Sequence, residues 1–166
     1  MKKIIYLLGF LFIISNAYAQ NKQLKMEITS VKSIKDSIAI NIDVTNVSDQ
    51  KIVVYLPDLV SICSSLMYIK FIDLKNDKHY NVYPCNYNAN LKFIEINNKN
   101  SFILNSSEKK NIDYKFSKTN ISPYLKKKHL YKVFVGWLLK FIYIKTSVEN
   151  YFNDDIESNY VLFKND

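Results

Sequence analysis

Arginine is absent from this chain of 166 residues, and all 23 of its basic residues are lysine. Arginine is the residue that usually makes bidentate contacts with phosphate, carboxylate and guanine. A dedicated nucleic-acid-binding protein without arginine is unusual, so we expect no nucleic acid among the partners. The formal net charge of +8 then indicates solubility or weak attraction to anionic surfaces.

Glycine is nearly absent too, with only Gly9 and Gly136 in the chain. Phosphate-binding loops, dinucleotide-binding folds and the nucleophile elbow of α/β hydrolases each need several glycines at fixed spacing. The sequence therefore excludes these enzyme classes. Its turns must use asparagine and aspartate, the other residues that tolerate a left-handed backbone. Turn residues of this kind cluster at 76–77, 88–90, 97–100, 105–106 and 153–155.

Residues 1–19 have the three parts of a cleavable secretory signal peptide. Lys2-Lys3 precedes the apolar run Ile4–Ile14, and Ala17-Tyr18-Ala19 is a small-x-small cleavage site. The run is too short for a membrane-spanning helix, which needs about 20 residues. A buried first element is the alternative, but such an element rarely ends in an Ala-x-Ala site. We expect residues 20–166 to form one exported domain, periplasmic or extracellular and not an integral membrane protein.

Cysteine and histidine are too few for a typical metal site. The chain has Cys63, Cys85, His79 and His129 and no others. A zinc site needs three or four ligands at short spacing, so we expect no metal and no cofactor. A nucleophilic thiol needs a histidine partner, and the sequence places neither histidine beside a cysteine. We therefore expect no catalytic residue and no enzyme activity.

The two cysteines of an exported protein predict one disulfide, Cys63–Cys85. Such a bridge stabilises a domain by about 3 kcal/mol in the chain-entropy model. A hairpin that turns at Asn76-Asp77 would place Cys85 opposite Tyr68. The bridge then requires the chain to fold back between Cys63 and Leu66.

Apolar residues mostly recur at every second position, which is the period of a β-strand. The clearest example is 38–45, where isoleucine and valine alternate with mainly polar residues. Segments 66–74 and 79–83 predict a hairpin. We interpret the most apolar segment, 130–144, as a buried strand with a kink or bulge at Gly136. Further strands are predicted at 26–31, 52–56, 91–96, 102–104, 112–116 and 160–163.

Many short strands separated by turns predict an all-β sandwich or barrel. Ile40–Ser48 resembles the second strand and exit turn of the immunoglobulin-like β-sandwiches of small exported bacterial proteins. Leu130–Val135 resembles their penultimate strand, entered through a tyrosine, and Glu157–Phe163 resembles their closing strand. The resemblance implies a single immunoglobulin-like antiparallel β-sandwich over residues 20–166. It transfers no functional residue, because this fold serves many functions.

Aromatic residues are the first candidates for a binding surface. Tyr80, Tyr83 and Tyr87 lie close together in the sequence, and Trp137 lies in the most apolar segment. Exposed aromatic rings stack on sugars or anchor protein interfaces. Strands are also rich in tyrosine for packing reasons alone, so a framework role is the alternative for each residue.

Two charged groups are interpreted as solvated loops. The acidic group 153–157 lacks the spacing and the glycine of an EF-hand calcium loop. Lys126-Lys127-Lys128 precedes a predicted strand, where lysines commonly protect a sheet edge. Contact of these lysines with anionic lipid or acidic polysaccharide is the alternative.

The leading hypothesis is an exported, non-catalytic β-sandwich protein that binds a protein partner in the cell envelope or outside the cell. The alternative is a carbohydrate- or surface-binding module that uses exposed aromatics, and a small secreted hydrolase is a third hypothesis. A protein-binding domain should show an apolar patch or an unpaired sheet edge. A carbohydrate module should show a coplanar row of aromatic rings, and an enzyme should show a deep pocket with convergent polar groups.

We expect the exported protein to begin at Gln20, because signal peptidase cleaves after a small-x-small site. The intact mass of protein recovered outside the cytoplasm checks this. A control chain with Ala17→Leu and Ala19→Leu should keep residues 1–19. An exported wild-type protein that retains Met1 would contradict the predicted cleavage.

Overall fold

The computed structural model describes residues 23–83, 94–122, 124–140, 144–145 and 149–165. Over these residues the chain is all-β, as the strand period predicts, with several antiparallel sheets. No helix in the described segments has the length and hydrophobicity needed to cross a bilayer. The strands are β1 (Leu24–Ile34), β2 (Ser37–Asn46), β3 (Ile52–Tyr55), β4 (Met67–Asp73), β5 (His79–Val82), β6 (Ile94–Glu95), β7 (Ser101–Leu104), β8 (Lys109–Ser117), β9 (Ile121–Ser122), β10 (Leu130–Leu138), β11 (Ile144–Lys145), β12 (Asp155–Glu157) and β13 (Val161–Lys164). Short 3₁₀ helices lie at Leu59–Ile62 and Lys118–Asn120.

The first sheet has the strand order β1-β2-β8, and both pairings are antiparallel. The alternation predicted for 38–45 is confirmed, because the isoleucine and valine side chains of β2 are fully buried and the residues between them are partly exposed. β1 pairs with β2 over its whole length, with one register shift between Ile28 and Ser30. Asn46 ends β2, and its buried side-chain amide donates to the carbonyls of Gln50, Leu104 and Asn105.

The second sheet has the order β12-β10-β4-β5-β9, and β13 also pairs with β10. The predicted hairpin is confirmed as β4 and β5, with Ile72 opposite His79. This register differs by two residues from a turn centred on Asn76-Asp77. The reason is that the Asp73 N–H donates to the Lys78 carbonyl, so that the turn consists of the four residues between them.

Two smaller pairings complete the described strands. β3 and β7 are antiparallel, and the two-residue strands β6 and β11 are parallel. The inward side chains of both large sheets belong to one hydrophobic cluster. Burial of each large apolar side chain contributes about 1.5–3 kcal/mol, so this shared core holds the two sheets together.

Tyr131 links the core to the segment that precedes β10. Its ring is buried and meets the rings of Phe71 and Tyr80 edge to face, at 6.3 and 5.6 Å between centroids. Its hydroxyl accepts the Lys126 N–H at 2.8 Å and lies 3.3 Å from the Lys126 carbonyl oxygen. The segment before β10 is thereby fastened to the start of that strand.

Turns in this glycine-poor chain use other residues in the left-handed region. In the described part of the chain, Asp77 (φ 55°) and Asn150 (φ 57°) are of the expected type. Lysine and serine occupy the remaining positions with positive φ, at Lys35, Ser65, Ser107 and Lys128. A non-glycine residue in this conformation costs about 1–2 kcal/mol, so the turns carry backbone strain.

Gly136 does not form the predicted bulge, because β10 keeps one register with β4 along their whole pairing. The irregularity lies in the neighbouring edge, where β13 pairs with β10 up to Val133 and β12 takes over at Gly136. Ser158 lies between these two strands. Its N–H donates to the Val135 carbonyl at 2.9 Å, and its hydroxyl accepts the Val135 N–H at 3.0 Å.

Glycine is required at position 136 because the ring of Tyr68 lies over it. Tyr68 is directly opposite Gly136, and a Cβ atom there would overlap the ring. The Tyr68 hydroxyl reaches past the glycine and donates a hydrogen bond to Glu157, which pairs with Gly136 from the other side. The tyrosine thus covers the surface that a side chain would otherwise cover.

Gly136→Ala is expected to destabilise the fold by about 1–3 kcal/mol, as overpacking does, because the Tyr68 ring must move. In a Tyr68→Ala background the same change should be neutral or stabilising by up to about 1 kcal/mol, since alanine loses less entropy than glycine. Urea unfolding of the four proteins measures this reversal of sign. An equal cost in both backgrounds would show that Tyr68 is not the constraint.

Candidate functional site

One side of the second sheet combines exposed apolar side chains with lysines. Along β4 and β10 every second side chain is buried in the core, so the side chains between them point away from it. We give the name outer face to eight of these outward residues and their neighbours towards β13. The outer face consists of Tyr68, Lys70, Ile72, Leu130, Lys132, Phe134, Tyr160 and Leu162.

Strand pairing sets the neighbours on the outer face. Lys132 of β10 lies between Ile72 of β4 and Leu162 of β13. The ring of Phe134, two residues further along β10, contacts the ring of Tyr160 with centroids 5.8 Å apart and planes tilted by 49°. Residues from three strands therefore form one surface on a framework whose register is fixed by the core.

The apolar part of the outer face is well exposed. Leu130, Tyr160 and Leu162 are 39%, 51% and 57% exposed, respectively. Single apolar side chains at the surface are ordinary. Here they are adjacent or diagonal neighbours on two paired strands, and contiguous apolar surface of this kind marks interaction sites.

Two lysines lie among these apolar residues. The Lys132 Nζ atom is 4.9 Å from the ring centroid of Tyr160, and the Lys70 Nζ atom is 5.3 Å from that of Tyr68. Such cation–π contacts contribute about 0.5–1 kcal/mol at exposed sites. The aliphatic stems pack on the surface while the charged groups stay in water, so the outer face is positively charged as well as apolar.

The Tyr68 hydroxyl remains a hydrogen-bond donor. Burial is the largest of the effects that raise the pKa of Tyr68. The hydrogen bond to Glu157 and the negative charges of Glu157 and Asp155 raise this pKa further. The phenol therefore stays neutral at physiological pH and holds Glu157 at the end of the outer face.

A buried carboxylate lies where β4 ends. The side chain of Asp73 is fully buried; its Oδ1 accepts the Lys75 N–H at 2.9 Å, and its Oδ2 is 2.7 Å from Nδ1 of His129. Burial raises the pKa of Asp73, but the Lys75 N–H, His129 and the charge of Lys126 together outweigh burial and hold the pKa below its usual value. The ionised carboxylate fastens the β4–β5 turn to the segment before β10.

The lysine loop, Lys126–Lys128, lies beside the β4–β5 turn. The Leu74 N–H donates to the Leu130 carbonyl at 3.0 Å, which joins the two segments. Together they form an open depression at the end of the outer face. Its lining consists of Leu74, Lys75, Lys127, Lys128, His129 and Leu130.

Two of the four residues predicted for a binding surface are in the core. Tyr80 is 1% exposed and packs against Tyr131, and Trp137 is 0% exposed on the inward side of β10. Neither ring is available to a partner, which corrects the prediction for both residues. The physical reason is their size, because large aromatic side chains at inward strand positions fill the core.

The other two predicted surface residues have different outcomes. Tyr83 follows β5 and is exposed, and its N–H donates to the Asn120 carbonyl beside β9. Tyr87 lies outside the described residues. The structure therefore does not bring the four predicted aromatic residues together in one described surface.

The predicted disulfide involves Cys85, which also lies outside the described residues. Cys63 is buried directly after the first 3₁₀ helix. The chain turns directly after it, where Ser65 has a φ of 58° and the Leu66 N–H donates to the Ser61 carbonyl at 3.0 Å. The Cys63–Cys85 disulfide stays a prediction.

The acidic group before and within β12 accepts hydrogen bonds from the backbone of Lys140 and of its own turn. Asp155 accepts the Lys140 N–H at 3.1 Å, and Asp154 accepts the Asp155 N–H at 2.8 Å. Within the segments that the structure describes, no three or more histidine, cysteine, aspartate or glutamate residues are grouped so as to hold a metal ion.

The sequence analysis did not single out Phe134, Tyr160 or Leu162. Segment 130–135 is apolar on both alternating faces, so alternation alone does not tell which face is buried. Lys132 carried the available signal, because a charged residue marks the solvent side of a strand and Phe134 shares its side.

Asp73→Asn is expected to lower the free energy of unfolding at pH 7 by about 1–3 kcal/mol, the usual cost of leaving a buried partner unsatisfied. Because the folded-state pKa of Asp73 is lowered, its contribution is present above the unfolded pKa and is lost as the pH falls through the folded value. The variant should therefore lose part of the acid dependence of stability. Urea unfolding from pH 7 to pH 2 measures both effects.

The matched control is Asp77→Asn, which lies in the same turn, is exposed and has a left-handed backbone that asparagine tolerates. Its stability should change by less than about 0.5 kcal/mol. If the free energy of unfolding fell equally with decreasing pH in the wild type and in Asp73→Asn, the assigned role of the buried carboxylate would be contradicted.

No protein-family model and no curated protein matches this sequence. Two crystal structures of the β-glucosidase from Kluyveromyces marxianus, one in complex with glucose and one selenomethionine-labelled, are similar to 86% of this chain. The first has a TM-score of 0.42 at 19% identity, and the second a TM-score of 0.38 at 16% identity. The chain spans only 14% of the length of those proteins. Similarity this low establishes neither a shared fold nor a shared activity.

Proposed function

We propose that this protein is an exported, non-catalytic immunoglobulin-like β-sandwich that binds a protein partner in the cell envelope or outside the cell. The binding surface in this proposal is the outer face. Cleavage after Ala19 and the Cys63–Cys85 disulfide belong to the same proposal. The single observation that carries the proposed partner binding is the exposed apolar surface of the outer face.

Strand order supports the immunoglobulin-like fold. The order β1-β2-β8 corresponds to strands A, B and E of that fold, and the order β13-β10-β4 corresponds to strands G, F and C. Along the chain, β1 and β2 of the first sheet are followed by β4 of the second, β8 of the first, and β10 and β13 of the second, which is the order A, B, C, E, F, G of that family. Their inward side chains meet in one core, as in a sandwich.

Tyr131 is a second observation that supports this fold. Immunoglobulin-like domains often have a tyrosine near the start of strand F whose hydroxyl bonds to backbone a few residues upstream. Tyr131 is the second residue of β10, and its hydroxyl contacts the N–H and the carbonyl of Lys126. The arrangement matches this tyrosine corner in both position and partner.

A protein is the partner class that fits the outer face best. Protein interfaces have an apolar, aromatic-rich centre with polar groups around it. Phe134, Tyr160 and Leu162 supply such a centre, and Lys70 and Lys132 supply positive charge beside it. A complementary partner carries an apolar contact surface flanked by carboxylates. Two copies of this chain meeting through the same face would bring like charges together.

The alternative functions receive less support from the described residues. A sugar ring stacks on a flat aromatic platform, whereas the rings of Phe134 and Tyr160 are tilted by 49°. A hydrolase needs a nucleophile beside its base. The depression beside His129 is lined, among the described residues, by leucine and lysine side chains rather than by a hydroxyl or a thiol.

The test is capture of a partner by the protein as the cell exports it, kept without reductant, followed by a measured affinity for the purified partner. Leu162→Glu and Lys132→Glu should each weaken binding by about 30-fold or more, the effect of losing an interface hot spot of 2 kcal/mol. Both positions are on the solvent side of the sheet, so these variants should lower the free energy of unfolding by at most about 1 kcal/mol.

Ile103→Glu is the matched control, because Ile103 is equally exposed but lies on β7, outside the outer face. The proposal predicts that Ile103→Glu binds like wild type. A partner that responds equally to all three variants, or that binds wild type and Leu162→Glu with the same affinity, would refute the outer face as the binding surface. Capture of polysaccharide alone would favour the carbohydrate-binding alternative.

A further inference from the structure

We propose that the end of the domain formed by the β4–β5 turn and the lysine loop docks on an anionic membrane surface. This inference does not depend on the outer-face partner. The two segments are far apart in sequence but adjacent in space, because the Leu74 N–H donates to the Leu130 carbonyl and Asp73 binds His129. They line one open depression of about 520 Å³.

Positive charge dominates this end of the domain. Lys75 lies in the turn, Lys78 directly follows it, and three consecutive lysines form the loop opposite. Asp73 is buried and paired with His129, which leaves Asp77 as the exposed acidic residue of the turn. In the described part of the chain, none of the lysines that line the depression takes part in an ion pair. Lysine clusters of this size bind anionic lipid surfaces.

Exposed apolar side chains stand among these lysines. Leu74 and Leu130 line the depression between the charged groups, and both are exposed. Tyr124, shortly before the loop, is 70% exposed. Leucine and tyrosine enter the boundary between headgroups and acyl chains, while lysine amines stay at the level of the phosphates. The surface therefore has both components of interfacial binding.

The lysine loop is held in place by the rest of the domain. The Asn165 side-chain amide donates to the carbonyls of Leu125 and Lys126 at 3.2 and 3.3 Å. The Asn165 carbonyl accepts the Lys128 N–H at 2.6 Å, and its own N–H donates to the His129 carbonyl at 3.1 Å. A loop already ordered in this way loses little further entropy when it binds.

The composition of the depression favours a membrane over an acidic protein. Anchors of protein interfaces are enriched in tryptophan, tyrosine and arginine. The lining here consists of leucine and long, flexible lysine side chains around His129. Lysine is a compact point charge that needs no bidentate geometry, which suits mobile headgroups.

The experiment measures sedimentation of the purified protein with phosphatidylcholine vesicles that contain about one third phosphatidylglycerol, at physiological ionic strength. The wild type should bind these vesicles and not pure phosphatidylcholine. The triple variant Lys75→Gln, Lys127→Gln, Lys128→Gln should lose about 100-fold in partitioning, because each lysine near the surface contributes about fivefold. Leu74→Ser keeps every charge and should lose about tenfold.

The matched control is Lys51→Gln, Lys99→Gln, Lys110→Gln, which removes the same charge around the β3–β7 pair. It should bind nearly as tightly as wild type. Equal losses in the two triple variants would reduce the effect to net charge and overturn the site. Absence of wild-type binding to the anionic vesicles, or tight binding to polyglutamate without vesicle binding, would also overturn it. None of these variants lies among the residues that test the outer-face partner.

Discussion

The pairing of β10 within the second sheet is the constraint on which the rest of the structure depends. β10 has β4 on one side and β12 and β13 on the other. Its four inward side chains are fully buried, namely Tyr131, Val133, Val135 and Trp137. Its outward side chains form the middle of the outer face. A slip of one residue would exchange the two sets, exposing Trp137 and burying Lys132. The core therefore places the candidate site, because the same register decides both.

Local features of the fold could be predicted from the sequence, and distant ones could not. A period of two predicts the strand at 38–45 and the β4–β5 hairpin, because both are properties of neighbouring residues. The role of Gly136 depends on Tyr68, which meets it only across the sheet. A glycine within a strand is typical of a bulge, and no local signal distinguishes a bulge from a glycine that makes room for a ring.

The candidate site was harder to predict, because the same residue types fill cores and anchor interfaces. Tyr80 and Trp137 are large and aromatic, which is why they were candidates and also why they are buried. The lysine loop stands out as a charge run. Its position beside Leu74 depends on the contact between Asp73 and His129, which are 56 residues apart. Sequence analysis identified the charges and missed the apolar side chains beside them.

The left-handed turns have a consequence for how this protein can change. A left-handed residue costs about 1–2 kcal/mol, and asparagine or aspartate costs less than other residues. Glycine would remove that cost, but its greater conformational freedom would stabilise the unfolded chain by about 0.4–1 kcal/mol. Substituting glycine at Lys35 or Ser107 therefore leaves a net gain of up to about 1 kcal/mol at each. The scarcity of glycine therefore limits the stability of this protein. A few substitutions by glycine would raise the free energy of unfolding without adding any contact.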